Sequence, residues 1–361
     1  MTLPSPSPAA ASIDTARSNS RYGWVDVAKG ICIIAVVCLY ARKELEHLLG
    51  DAGWLQPWAA FAQPFRMPDF FLLSGLFLGA VLDRPWRSYL DTKVVHYVYF
   101  LVLWVALVHG YEMAFSTDFV GSDDSPARAL RRYVYYLYQP DHMLWFIQTL
   151  PMYFVVTRLL RRVPALVRVA LAVCLLLYWP STAVGAANNF CQYYLYFVLG
   201  SSGAQAIFAY ADRVAAHRLL ACLALPLWAL ANQMAVQSRW TLTGPGALCF
   251  GVAGIAAIIA VSRLLADTRQ MPGVTVLRFL GANSIVVYLG FFIPLHALVT
   301  AYAGSARALP INLVATGIVL VSITVPVLLF ITTRRTPLRY LFVRPRWAHL
   351  QAPRQGAMVP A

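Results

Sequence analysis

The sequence predicts an all-α fold: a polytopic membrane helix bundle of about ten transmembrane helices with both termini in the cytoplasm. Three observations predict it. The 361 residues are 60% hydrophobic and only 12% charged, whereas a soluble domain carries about 25% charged and 45–50% apolar residues. The apolar residues gather in runs of about 20, the length needed to cross the hydrocarbon core of a bilayer. The basic residues collect in alternate connections between those runs. Such a composition cannot supply the polar surface of a soluble enzyme, a nucleic-acid binder or a disordered chain. The formal net charge of +14 is therefore read as topology-setting Lys and Arg rather than as a nucleic-acid footprint.

Residues 1–20 are rich in Ser, Ala and Pro and hold no apolar core of a signal peptide. They read as a disordered cytoplasmic tail. Apolar runs follow near 24–40, 57–82, 94–115, 143–160, 165–183, 190–211, 219–236, 246–265, 279–302 and 310–333. The membrane domain is 21–335, and 336–361 is a basic cytoplasmic tail. With the N-terminus inside, the inner connections hold Arg84, Arg87 and Lys93, then Arg161 and Arg162, Arg213 and Arg218, Arg269, and the arginines of the tail. The outer connections hold fewer basic residues, so the charge bias favours an even number of spans. No internal repeat supports an inverted-repeat transporter. The longest connection, 116–142, opens as a loop, TDFVGSDDSP. It continues as ARALRRYVYYLYQP, where Arg and Tyr at helical spacing suit a short helix at the outer interface. The six cysteines all lie in apolar runs without a CxxC pair. They read as small core residues, with no disulfide and no metal site.

Ionisable residues inside a span are expensive and mark functional sites by default. The first span, WVDVAKGICIIAVVCLY, carries Asp26 and Lys29 three residues apart, on one face and able to pair. A snorkelling pair at the inner interface is the plain alternative. Tyr40 lies eleven residues beyond Lys29, within 20° of the same face and roughly 16 Å further along the axis. His47 continues that stripe if the helix runs on. The second span, FRMPDFFLLSGLFL, sets Arg66 and Asp69 on either side of Pro68. That is a charge pair at a kink, or else a loop-to-helix junction at the outer surface. Further polar residues are His96, His109, Glu112, His142, Gln148 and His296, each more often a satisfied bundle contact than a catalyst.

WVDVAKGICIIAVVCLY resembles the first span of the acyltransferase-3 family of integral membrane acyltransferases, and MPDFFLLSGLFL resembles its second-span motif. WRSYLDTKVVHYVYFLVLW, LWFIQTLPMYFVV and GANSIVVYL are similar to later family segments, so the resemblance runs over most of 20–340. It implies a membrane-bound O-acyltransferase of the bacterial inner membrane. Such an enzyme moves an acyl group, acetyl above all, from acyl-CoA to a glycan, a lipid-linked sugar or another hydroxyl acceptor. Acyl-CoA is a co-substrate, and no bound cofactor, metal or nucleic acid is expected. The family's first-span signature is a basic residue, ten residues, then His. Here the basic residue is Lys29 and the last position is Tyr40.

Histidine titrates near neutrality and can take a proton from a sugar hydroxyl, whereas tyrosine, with a reference pKa near 10, is a poor base at pH 7. The catalytic candidates are therefore Tyr40 itself, His47, His142, Lys29 and Arg66, the last two holding the donor or stabilising developing charge. Asp26, Asp69, Arg84, Arg87, Lys93 and Gln148 are the donor- or substrate-binding candidates. Of these, Arg84, Arg87 and Lys93 suit donor phosphates, although topology alone also explains them. Two alternatives stay open. One is a catalytically silent relative with a binding role, and the other is a transporter of a small anionic or sugar substrate.

Overall fold

The computed structural model describes residues 8–115, 125–139, 143–178, 185–242, 244–268, 271–305 and 309–350, with side chains from Gly23 onward. The described residues are helical throughout and include no strand. Every apolar run of the sequence coincides with a helix or a broken helix. α1 spans Pro8–Leu49, beginning inside the segment expected to be a tail, and α2 spans Leu55–Gly75. α3 (Trp86–Leu90), a π-helical turn (Asp91–Val95) and α4 (His96–Phe115) follow as one continuous rod. α5 is Pro126–Tyr138, α6 Trp145–Leu159, α7 Ala165–Tyr178, α8 Ala186–Ser202 and α9 Ala204–Ala216. α10 is Arg218–Gln237, α11 Gly244–Asp267, α12 Pro272–Ala282, α13 Ser284–Gly290, α14 Phe292–Ala303 and α15 Ile311–Thr333.

Five of the described helical segments are long and apolar enough to cross a bilayer unaided. They are Gly23–Leu49, Trp86–Phe115, α10, α11 and α15. α12 and α13 bend by 71° at Asn283, and together they make a sixth candidate. The remaining runs are shorter or carry the polar residues of the interior, which lowers their hydropathy. Lipid exposure is written on α10, where Leu219, Leu220, Leu223, Leu227, Leu230 and Met234 are all solvent-facing at helical spacing. An apolar stripe of that kind on a soluble surface would aggregate, and in a bilayer it is the resting state. α15 repeats the pattern with Leu313, Leu320, Leu328 and Ile331.

α1 is the central element, packed against α2, α11, α12, α14 and α15. Its contact with α12 is backbone-close at two glycines. A Cβ on Gly281 would stand 1.8 Å from the Asp26 carbonyl oxygen, and one on Gly30 would stand 2.1 Å from that of Leu277. Small residues at such crossings let two helices approach where no hydrophobic force drives them together. The sequence expectation of a short helix after the long loop matches α5. Ser125 caps its N-terminus, and Tyr133 Oη donates to the Val102 carbonyl of α4 at 3.1 Å.

The chain after α15 departs from a free tail. Residues 337–350 fold back onto the π-helical turn around a buried ion pair. Arg344 Nη2 donates to Asp91 Oδ2 at 2.8 Å and Arg344 Nη1 to the Asp91 carbonyl at 2.6 Å. The Leu350 amide donates to Asp91 Oδ1 at 2.7 Å, and His349 Nδ1 lies 3.3 Å from Oδ2. Trp104 Nε1 and Tyr99 Oη add bonds to the carbonyls of Leu341 and Tyr340.

Candidate functional site

Two cavities open toward opposite ends of the bundle. The first, about 380 Å³, lies near the start of the Gly23–Leu49 part of α1 and is lined by Asp26, Lys29, Lys93, His96, Ser74 and Ser284 over an apolar floor that includes Phe146 and Tyr288. Five elements converge there because α1 runs one way and α2 returns, so the Asp26–Lys29 turn of α1 meets the end of α2. The π-turn then delivers Lys93, the first residue of α4 is His96, and the α12–α13 bend delivers Ser284. Lys93 Nζ sits 4.9 Å above the Phe154 ring, an arrangement that holds an ammonium without a carboxylate partner. Asp26 and Lys29 share this cavity, but they form no ion pair among the described residues. This end thus presents two lysines and a histidine, with one carboxylate as counterweight. A group bearing phosphate or carboxylate charge suits that lining.

The second cavity, about 520 Å³, lies at the other end, between the N-terminal half of α2, the end of α7, the start of α8 and the start of α11. Gln63, Gln192, Tyr193, Tyr196 and Thr241 line it. Such uncharged donors and acceptors recognise hydroxyls rather than ions.

Between the cavities stands an aromatic layer. Phe146 packs on Tyr288 at 5.6 Å and on Phe71 at 4.8 Å, and Phe71 stacks on Tyr193 at 5.4 Å. Trp145 closes against Tyr193 at 5.5 Å. Tyr288 lines the first cavity and Tyr193 the second. Tyr40 sits in this layer, against Phe291 at 5.4 Å, with Arg66, Trp145 and Tyr193 as the groups acting on its hydroxyl. The Lys29–Tyr40 face inferred from spacing therefore links the first cavity to the aromatic layer. Arg66 is 6% exposed. Its side chain makes one long bond, 3.4 Å from Nη1 to the Ala59 carbonyl, and leaves Nε unpartnered. A buried guanidinium so poorly satisfied is available to an incoming oxygen.

Other expectations are corrected. Arg66 and Asp69 do not pair across Pro68, because their side chains diverge. Arg66 reaches toward Tyr40 and Tyr193, while buried Asp69 faces Cys32 and Tyr196 and leaves Oδ2 unpartnered. Gln148 is not turned to either cavity. Its amide donates to the Leu137 carbonyl at 2.8 Å and ties α6 to α5, since a buried amide takes the nearest backbone partner. Arg84 and Arg87 are exposed and do not line the first cavity. His47 is exposed near the end of α1, two turns past Tyr40, and His142 lies outside the described residues.

Sequence reasoning missed three features. His96 enters the first cavity although it opens a span as an isolated residue. Arg158 is buried, stacks 4.3 Å from the Trp86 and Tyr89 rings and donates to the Arg84 carbonyl, with Nε and Nη1 unpartnered. Toward the C-terminal end of α1, His296 approaches Tyr111, with Nδ1 3.3 Å from Oη, and Glu44 faces both His296 and His47. His296 follows Pro294 in the sequence, and only the fold brings it toward α1.

The sequence profile of the acyltransferase-3 family, described as an acyltransferase domain, matches residues 22–331. The chain belongs to that family. Both cavities and the aromatic layer lie within the matched span. Among curated members, the chain is similar to the inner membrane protein YcfT of Escherichia coli (strain K12), with 23% identity over 296 residues, covering 73% of this chain and 77% of YcfT. It is also similar to the nodulation protein NolL of Mesorhizobium japonicum, with 30% identity over 94 residues, which is 26% of this chain and 25% of NolL. NolL of Sinorhizobium fredii is 29% identical over 108 residues, 30% of each chain. No solved structure matches the chain. This family member is an integral membrane protein, in keeping with its apolar helices.

Proposed function

We propose that the protein is a membrane O-acyltransferase of the bacterial inner membrane, moving an acyl group from acyl-CoA to a hydroxyl of a glycan or lipid-linked sugar. The observation that carries this reading is the pair of cavities of opposite chemistry, one basic and one lined by uncharged polar groups, on either side of the aromatic layer that holds Tyr40 with Arg66 beside it. Lys29 and Lys93 hold the charged donor, with Arg84 and Arg87 outside to meet its phosphates. The acyl end reaches the aromatic layer. There the acceptor oxygen attacks the thioester carbonyl, the C–O bond forms, the C–S bond breaks, and the thiolate leaves to take up a proton. Arg66, with Tyr40 as a hydrogen-bond donor, stabilises the oxyanion on the way.

The signature histidine is absent at position 40, so the acceptor proton goes elsewhere. His296, held by Tyr111 and facing Glu44, supplies the base, with a carboxylate to steady the imidazolium that forms. His47, which faces the same Glu44, and His142 are the alternatives.

The test uses the full chain in proteoliposomes with radiolabelled acetyl-CoA, scoring thioester hydrolysis and label in a glycan acceptor. Turnover lost in His296→Ala but kept in His47→Ala supports the assignment. Turnover kept in His296→Ala removes His296. Turnover that appears only in Tyr40→His makes the native chain silent at this step. Sugar flux without turnover overturns the enzyme reading in favour of transport.

A further inference from the structure

A third cavity, about 750 Å³, belongs to neither end of the acyl path. It lies between the last turn of α15 and the folded-back segment after it, lined by Phe330, Arg334, Arg339, Val343, Arg346 and Trp347. Arg344, on the far wall, is neutralised by Asp91. Arg334, Arg339 and Arg346 form no ion pair among the described residues. Two of them are held in place by aromatic faces, Arg334 at 4.9 Å from the Phe330 ring and Arg339 at 4.9 Å from Tyr340. The cavity is thus a cationic cup, and the Asp91–Arg344 pair anchors the segment that carries half of it.

The rim decides the ligand. Trp347 is 81% exposed, and Leu338 and Val343 are exposed beside it. A site for a free anion has no use for such a rim. Phe330 lies in the final turn of a bilayer-crossing helix, so the cup sits at headgroup depth with Trp and aliphatic side chains facing acyl chains. Arg clusters immediately after a span, with Trp at the interface, are the chemistry of anionic lipid recognition.

We propose that this cup binds the phosphodiester headgroup of an anionic phospholipid, with Arg334, Arg339 and Arg346 on the phosphate and Trp347 against the first acyl carbons. The proposal stands apart from the acyl-transfer reading, since none of these residues touches either of the other cavities.

The test is native mass spectrometry of the full chain released from nanodiscs of phosphatidylcholine with one part in ten phosphatidylglycerol. Wild type is expected to retain phosphatidylglycerol in preference to phosphatidylcholine. Loss of each arginine should lower that preference about fivefold, so Arg334→Gln/Arg339→Gln/Arg346→Gln should lower it more than tenfold. All three side chains are exposed, and an unchanged elution volume on size exclusion certifies the fold of the variant. A second arm needs no variant: phosphatidylglycerol brominated on its acyl chains should quench tryptophan emission of the wild type more than that of Trp347→Phe. Equal retention of the two lipids, an unchanged preference in the triple variant, or release of the lipid by millimolar inorganic phosphate or CoA would each overturn the proposal. The last outcome would make the cup a soluble-anion site.

Discussion

Asp91→Asn tests the anchor of the C-terminal segment. Asp91 and Arg344 are 6% and 8% exposed. The carboxylate accepts from Arg344 on one oxygen and from the Leu350 amide on the other. Removing one partner of a buried pair leaves the other charged and dry, which costs about 3–5 kcal/mol. Asparagine keeps one acceptor oxygen, so the lower figure applies. Arg344 is already short of partners, with Nε unsatisfied. If the penalty falls on the segment alone, about 3 kcal/mol raises the released fraction of 337–350 roughly 150-fold. The assay is trypsin cleavage after Arg346 in proteoliposomes, followed by intact mass, in the regime where cleavage tracks the open population. Asp91→Leu/Arg344→Met should cleave close to the wild-type rate, because apolar replacement of both partners is near neutral. An unchanged rate in Asp91→Asn would refute the reasoning and give the anchoring to Trp104 and Tyr99. A double variant as loose as the single would show that the pair itself, rather than the orphaned charge, holds the segment.

Arg66→Ala should insert normally yet lose 10²–10³-fold in acyl transfer, the loss typical of one oxyanion donor; wild-type turnover would remove Arg66 from the chemistry. Lys93→Gln, alone and with Lys29→Gln, should raise KM for acyl-CoA about tenfold per lysine with kcat nearly constant, as expected for lost ground-state binding; a fall in kcat at constant KM would contradict donor binding there. Gly281→Ala must push α12 away from the Asp26 carbonyl, and thermal unfolding in detergent should register a loss of about 1–3 kcal/mol; an unchanged Tm would mean that the two helices do not touch at this point.

Much of the fold was legible because spans announce themselves by length. The ten apolar runs fall on helices, and the short helix α5 followed from Arg and Tyr at helical spacing. The Lys29–Tyr40 alignment was also legible, since a continuous helix turns spacing into geometry. Relations between helices were not. Arg66 and Asp69 are neighbours in sequence, yet they serve different sides of α2, and no periodicity encodes where a kinked helix aims its side chains. His96 and His296 join their sites only when α4 and α14 dock near α1. Arg344 was hidden by its company: in a run of arginines that topology already explains, nothing marks the one that finds a carboxylate 253 residues away.

The aromatic layer has an electrical consequence. Water in the two cavities would carry each compartment's potential inward, so the voltage across the membrane would fall over the thin stack around Phe71 and Phe146 rather than over the full bilayer. A charge carried through that stack would work against the whole potential, about 2.3 kcal/mol per 100 mV. A neutral acyl group would cross without electrical work, while a phosphate-bearing carrier would be held on the side from which it came.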